Sequence, residues 1–319
     1  KPPHDRHQLC KIHNDSPSVA YSVIELIVRR PYPSAITERQ AFPAKAAAPD
    51  KVGSMFRQPS RKTTFLATAF TTLELIFQVA VRNLRKRHGN AAKGLVMSIL
   101  NSILMIVLMY FIFDMLGLRR VAARGDFLLF VMSGVFMYRT HVSALGAVSG
   151  ADGPTSPMML HAPMNPIISI CGAALSALYN QTLSAIVILP FYNVVIKPIS
   201  IEDPVGVLGI HMLAWASGIG IGMVLRSARP WQPDLATILT KVLMRINVIA
   251  SGKMVLVNNM PPKLRAWFDW NPLFHVIDQG RDHVFLNYTP HFTSISYPIY
   301  FTLTFIVIGF GIRLIEILP

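Results

Sequence analysis

The sequence contains little charge. Only 14% of its 319 residues are Asp, Glu, Lys or Arg, whereas 52% are hydrophobic, and the mean hydropathy is +0.43. A typical soluble domain carries about 25% charged residues. The composition therefore excludes an ordinary soluble domain and predicts an integral membrane protein.

Acidic residues are the scarcer charged class, with 16 Asp and Glu against 30 Lys and Arg, a net charge of +14. The basic residues are spread thinly between apolar runs, and no basic and aromatic surface module of the nucleic-acid-binding kind interleaves them. We therefore expect no nucleic-acid partner. The positive charge is assigned to membrane orientation and to an anionic substrate.

Motifs for chemistry on this chain are lacking. The two cysteines, Cys10 and Cys171, are too far apart to predict a disulfide framework or a metal site, and no two histidines have the H-E-x-x-H spacing. Neither a G-x-x-x-x-G-K-[ST] phosphate loop nor a G-x-S-x-G nucleophile elbow occurs. We predict no catalytic residue, and we expect energy to come from a partner subunit or an ion gradient.

Residues 1–54 differ from the rest of the chain. They are rich in Pro, Ala and charge and contain no methionine or sustained apolar run, and Met55 opens a coherent apolar pattern. Such a composition does not support a packed core. We expect residues 1–54 to be a disordered or non-native N-terminal extension and 55–319 to be the working domain.

Six apolar runs are long enough to cross about 30 Å of hydrocarbon, which takes about 20 helical residues. None alternates with the period of a barrel strand. The sequence therefore predicts an all-α polytopic membrane protein with six transmembrane helices. The predicted spans are 95–118, 127–148, 167–196, 205–225, 235–257 and 297–317.

A seventh apolar segment, 65–81, precedes the six. Its large apolar residues recur at helical spacing, and a basic run follows it. This pattern is typical of an amphipathic helix lying in the membrane interface with its cations at anionic headgroups, and a marginal seventh span is the alternative. The predicted interfacial cations are Arg82, Arg85, Lys86 and Arg87.

Flanking cations predict the orientation. With the N-terminus inside, eleven Lys and Arg flank the spans on the cytosolic side and seven on the other. Six spans then return the C-terminus to the cytosol. The segment between the second and third spans, 149–166, is cytosolic in this topology, and the segment between the fifth and sixth lies on the opposite side.

Three cations occupy the fifth predicted span. Lys241, Arg245 and Lys253 fall within one sector of an ideal helix, so we expect them to face a path for an anionic substrate. The alternative is that Lys241 and Lys253 extend to opposite interfaces while Arg245 pairs with Asp114 or a backbone carbonyl. In the fourth span, Ala214, Gly218 and Gly222 recur every four residues, which predicts close helix packing.

Two stretches carry a family resemblance: APMNPI ahead of the third span and WNPLFHVIDQGRDHVFLNY ahead of the last. With six spans and a basic interfacial helix, they resemble the permease subunit of capsular polysaccharide exporters, of the type-two ABC exporter class. The resemblance implies a homodimer in the bacterial inner membrane that moves a lipid-linked polysaccharide. It also implies a separate ABC subunit that binds ATP and Mg²⁺, with membrane lipids and periplasmic and outer-membrane export proteins as further partners.

The same resemblance implies two working segments. The cytosolic loop would form a coupling helix that contacts the ATPase through Met158, Met159, Leu160, His161 and Met164. The segment before the last span would form short re-entrant gate helices at the periplasmic mouth. Its expected gate residues are Trp270, Asn271, Pro272, His275, Asp278 and Arg281.

The residues of the gate segment themselves predict a short helix. Asn271 is a good N-cap, Pro272 suits the first helical position, and Asp278 can pair with Arg281 across one turn. We expect its charged side chains at a wet face. An amphipathic loop helix that merely covers the bundle is the alternative.

The predicted function is therefore a transmembrane exporter subunit for a cell-surface polysaccharide. An ABC exporter of a small lipid or drug is an alternative within transport. From another class, an integral membrane acyl- or glycosyltransferase using the histidines is a second alternative. A secondary transporter is a third, disfavoured because no inverted repeat of spans is apparent.

Overall fold

Helices account for the regular structure of the chain in the computed structural model, which describes residues 65–86, 91–115, 126–153 and 166–317, together with 89 and 117. These residues belong to one unit, 62–319, and no strand occurs among them. The helices are α1 (Phe65–Lys86), α2 (Ala91–Met115), α3 (Phe127–Ser149), α4 (Pro166–Val195), α5 (Pro204–Ser227), α6 (Pro233–Ala250), α7 (Pro262–Arg265), α8 (Pro272–Val284) and α9 (Ser296–Ile317). A 3₁₀ turn, Val257–Asn259, lies between α6 and α7.

Four of the described helices are long and apolar enough to cross a membrane, namely α2 from Ala92 onward, α3, α4 and α5. These match the first four predicted spans, and α4 continues through Pro190 to Val195. The all-α class and the multi-pass membrane protein are therefore confirmed.

The fifth predicted span, 235–257, is wrong in its extent. Helix α6 ends at Ala250, and Gly252 adopts a left-handed backbone conformation with φ +66° that few other residues tolerate. A Cβ at Gly252 would lie 2.5 Å from the ring of Phe274, so the turn also brings the chain close to α8. The apolar run continues past this turn, which is why the sequence indicated a longer helix.

Helix α5 lies between α3 and α9, and its small residues allow the close approach. A Cβ at Gly218 would lie 2.3 Å from the carbonyl oxygen of His141, and one at Gly222 would lie 3.0 Å from that of Leu145. On the other side, a Cβ at Gly220 would lie 3.2 Å from the Cβ of Phe305. The packing role predicted for Ala214, Gly218 and Gly222 is confirmed.

Helix α1 packs on α4 through a narrow contact. Val79 and Ala80 are buried, and a Cβ at Gly172 of α4 would lie 2.6 Å from Val79 Cγ1. The opposite face of α1 exposes large apolar side chains at helical spacing. They are Leu66, Phe70, Leu73 and Phe77, each more than 60% exposed in the isolated protomer.

Candidate functional site

The N-terminus of α8 is fixed by Asn271. Its side-chain oxygen accepts a hydrogen bond from Leu273 N at 3.0 Å, and Pro272 occupies the first turn, so the predicted N-cap is confirmed. The same side chain donates from Nδ2 to Asn247 Oδ1 at 2.8 Å and to Ala250 O at 3.0 Å. Asn271 is 1% exposed. It therefore ties the start of α8 to the end of α6.

This contact belongs to a longer buried chain of hydrogen bonds. Asn247 Nδ2 lies 3.5 Å from His141 Nε2, and His141 Nδ1 lies 2.8 Å from Ser217 Oγ, which itself donates to Ala214 O. The bond directions agree if Asn247 donates to Nε2 and Nδ1–H donates to Ser217. The chain joins α8, α6, α3 and α5. Sequence reasoning missed it, although polar side chains inside apolar helices were its signal.

Arg281 attaches α8 to the turn that follows α6. The side chain is fully buried, Nη1 donates to Val255 O at 2.8 Å and Gly252 O at 3.4 Å, and Nη2 donates to Lys253 O at 2.8 Å. Its guanidinium lies 4.0 Å from the ring centroid of Phe130 in α3. One side chain thus connects α8, the turn after α6, and α3.

The predicted Asp278–Arg281 ion pair is wrong, since no such pair occurs within 4 Å in the described part of the chain. Asp278 instead accepts hydrogen bonds from the hydroxyl groups of Tyr288 and Thr293. The expected wet face is also wrong, because the segment after α8 folds back over it. His275, Asp278 and Gln279 are all buried there.

The two remaining expected gate residues, His275 and Trp270, contact the segments before and after α8. His275 Nε2 lies 2.8 Å from Asp269 O, and Ser294 N donates to its Nδ1 at 3.3 Å. Trp270 is 52% exposed, and its carbonyl accepts from the hydroxyl of Tyr297 at 2.7 Å, where α9 begins. The expected gate residues are therefore brought together around α8.

The three expected path cations do not share one helical face. Lys241 and Arg245 lie one turn apart on α6 and are exposed in the protomer, but Lys253 follows the turn at Gly252. Lys253 is 3% exposed, and its Nζ lies 3.5 Å from the ring centroid of Tyr138. Among the described residues, Arg245 forms no ion pair with Asp114.

The remaining expected residues are described in part. Arg82 and Arg85 are exposed near the end of α1, whereas the side chain of Lys86 and the whole of Arg87 lie outside the described residues. The expected coupling residues Met158, Met159, Leu160, His161 and Met164 lie outside them as well, as does the extension 1–54. Where residues are described, no three His, Cys, Asp or Glu side chains form a group that could hold a metal ion.

At its other end, α8 contacts the start of α5. Asp203 caps α5 by accepting from Gly206 N at 3.0 Å, and its second oxygen lies 3.1 Å from His283 Nδ1. The backbone N–H of Asp203 also donates to His283 O at 3.1 Å. The Gly206 N–H, followed by His283, lowers the pKa of the Asp203 carboxyl.

The lowered pKa of the Asp203 carboxyl predicts that it contributes to folding stability in a way that acid removes. Because its pKa is lower in the folded protein than in the unfolded chain, the contribution is present above an unfolded pKa of about 3.9 and is lost as the pH falls through the folded value. We expect Asp203→Asn, which keeps the cap acceptor, to lose less stability than the unaltered chain on acidification below about pH 4. Thermal unfolding of both chains across this range measures the difference, and parallel profiles would contradict it.

Comparison with known proteins identifies the family to which this chain belongs. The family model for the ABC-2 type transporter matches residues 74–285, from within α1 to the end of α8. The chain belongs to the ABC-2 type transporter family. The predicted type-two ABC permease is thereby confirmed, and the chain is a membrane transport subunit.

Two curated relatives of this ABC-2 permease share one name. Both are the polysialic acid transport protein KpsM of Escherichia coli, 22% and 21% identical over 241 residues. Each match covers 76% of this chain and 92% of the relative. The similarity therefore extends over nearly the whole length of both relatives.

Proposed function

We propose that this ABC-2 permease is the membrane subunit of an ATP-driven exporter of a lipid-linked cell-surface polysaccharide. The observation that carries the proposal is the match to KpsM over 92% of that protein. In the proposal, two copies of the chain and two ATP-binding subunits form the exporter in the bacterial inner membrane, with both termini cytosolic. ATP and Mg²⁺ bind the partner subunits.

The proposed topology has six membrane helices, namely the four long apolar helices α2 to α5 together with α6 and α9. Helix α1 lies in the interface in this proposal, supported by its exposed apolar face and by the exposed Arg82 and Arg85. Segment 158–164 is the proposed coupling element. Lys241 and Arg245, exposed on α6, are the proposed path cations, whereas Lys253 is covered by Tyr138.

Helix α8 is the proposed gate. Its 13 residues span about 20 Å, which is too short to cross the hydrocarbon core. Its N-terminus contacts Asn247 and Ala250 in the bundle interior, and its C-terminus contacts Asp203 at the start of α5. Because α8 begins inside the bundle and ends at one rim, its position supports the proposal that it is a re-entrant element at the exit.

The transferase alternative gains no support from the histidines. His275 bonds to the backbone of Asp269 and Ser294 on either side of α8. His141 does lie within hydrogen-bond reach of a hydroxyl group, that of Ser217, but both residues are fully buried and the hydroxyl donates to Ala214 O. A catalytic histidine needs access to a substrate, which this buried pair lacks.

Co-purification tests the proposal. We expect the tagged chain, isolated from its native membrane, to bring an ATPase with it, and we expect added polysaccharide to stimulate ATP hydrolysis. The matched variant replaces 158–164 by a flexible linker of equal length. It should reach the membrane but lose the ATPase and all export. Retained export by this variant would contradict the coupling proposal, and stimulation by a small lipid alone would favour the alternative exporter.

A further inference from the structure

A polar cavity lies inside the protomer, in the half of the bundle nearest the start of α2 and the end of α3. It has two adjacent lobes of about 320 Å³ each, which share four lining residues. The shared residues are Asn83, Ser143, Gly146 and Asn180. Since α1, α2, α3 and α4 all contribute side chains, the cavity is built within one chain and needs no second copy.

The lining is rich in amides and hydroxyl groups, which is unusual between helices this apolar. Besides the shared residues, Ser98, Asn101 and Gln181 line the first lobe, and Ser176 lines the second. Most lipid-facing and core positions of the same helices are apolar. Ionisable side chains inside a membrane bundle are costly, and they mark ligand or ion paths.

Arg139 supplies a positive charge to the first lobe. It lies near the middle of the 23-residue helix α3, and Nε donates to Gln181 Oε1 at 3.4 Å. In the part of the chain that the structure describes, its two terminal amino groups have no hydrogen-bond acceptor and no carboxylate lies within 4 Å. The other charged lining residue, Asp152, lies in the second lobe.

We propose that this cavity is a binding site for an oxyanion, of which the phosphate group of a lipid headgroup is the main candidate, with Arg139 as its anion-binding residue. The fork of a guanidinium matches phosphate oxygens in geometry, and the surrounding amides and hydroxyl groups can bind the remaining ones. A lobe of about 320 Å³ lies at the small end of the range for ligand pockets, which suits a headgroup rather than an oligosaccharide.

The position of α1 supports a membrane source for this ligand. Asn83 and Leu84 of α1 line the first lobe, and they stand between the exposed Arg82 and Arg85 in the sequence. Cations at a membrane surface attract anionic headgroups. A lipid phosphate could therefore reach Arg139 alongside α1. The site stands independently of polysaccharide as the exported substrate.

The test measures phospholipid retained by the purified full-length chain. The probe is phosphatidylglycerol, supplied in nanodiscs with phosphatidylcholine and counted by native mass spectrometry. We expect Arg139→Gln to lower retention of phosphatidylglycerol at least about tenfold, the effect of losing charged hydrogen bonds, and Arg139→Lys to lower it less. The matched control is Arg229→Gln, a half-buried arginine that lines neither lobe and should retain lipid normally.

A second variant keeps the positive charge of Arg139 and reduces the volume of the cavity. Ser143 lines both lobes, and Ser143→Phe should fill the cavity and lower retention while Arg139 is intact. Thermal unfolding of each variant identifies loss caused by misfolding, and if the Arg139 variant misfolds, retention by Ser143→Phe decides the question. Unchanged retention in either well-folded variant would overturn the proposal.

Competition identifies the source of the anion. If inorganic phosphate displaces phosphatidylglycerol from the unaltered chain, the site takes a soluble oxyanion; if it does not, the site takes a lipid headgroup. Export is assayed in parallel. If both variants lose lipid retention and the exported cargo is not a polysaccharide, the site is supported and polysaccharide export is contradicted. If the chain exports polysaccharide and both variants retain lipid unchanged, polysaccharide export is supported and the site is contradicted.

Discussion

Arg281→Lys is expected to destabilise the protein by roughly 4 kcal/mol or more, which is large against a typical unfolding free energy of about 5–15 kcal/mol. The arginine donates to the carbonyl groups of Gly252, Lys253 and Val255 from a fully buried position. A lysine ammonium has no planar fork and cannot reach all three in the same geometry. Each buried carbonyl left without a donor costs about 1–3 kcal/mol.

A matched control separates this network from stacking on an aromatic ring. Arg265 also stacks on a phenyl ring, that of Phe292 at 3.5 Å, but it is only half-buried and the ring is exposed. We expect Arg265→Lys to change stability by less than about 1 kcal/mol. Thermal unfolding of the detergent-solubilised chains measures the stability of both variants, and the amount of each chain inserted in the membrane is measured alongside. Equal shifts in the two variants would contradict the three-carbonyl role.

The helices that the sequence predicted well are those bounded by strong local signals. The second span was predicted at 127–148 and is observed at Phe127–Ser149, since Asp126 caps its start. Likewise α5 starts after the cap Asp203, at Pro204. Both caps accept hydrogen bonds from the first turn, a short-range effect that a single sequence can reveal.

The wrong predictions concern side chains whose contacts come from distant parts of the chain. The polar face of α8 was predicted to be wet, but Thr293, fifteen residues after Asp278, covers it. Arg281 was assigned to Asp278, its neighbour on the helix, whereas its acceptors lie 26 to 29 residues away. Periodicity reports which side chains share a face and does not report what packs against that face.

Asn271→Ala is expected to cost roughly 2–4 kcal/mol, because one change removes a helix cap and two buried donors. The cap contributes about 1 kcal/mol. Asn247 Oδ1 and Ala250 O would each lose the hydrogen bond they accept from Asn271 Nδ2. Buried acceptors without a donor account for the rest. The matched control is Asn258→Ala, which removes one hydrogen bond donated to Thr289 O and one accepted from His291 N at the surface and should cost less than about 1 kcal/mol.

Asn271→Asp distinguishes the cap from the chain of hydrogen bonds behind it. Aspartate is as good an N-cap as asparagine, so a cap-only role predicts a stable variant. The aspartate, however, would place a carboxylate against two acceptors, Asn247 Oδ1 and Ala250 O. Rotating the Asn247 amide to donate forward would withdraw its donor from His141 Nε2.

The relief of one contact would thus break the next, because the directions of these bonds are coupled from α8 to Ser217 of α5. We therefore expect Asn271→Asp to be at least as unstable as Asn271→Ala, and Asn271→Ser, which keeps a cap without charge, to be intermediate. A double-mutant cycle with Asn247→Ala should give a coupling above about 0.5 kcal/mol. Wild-type stability of Asn271→Asp would refute the directional chain and leave α8 attached to the bundle chiefly through Arg281.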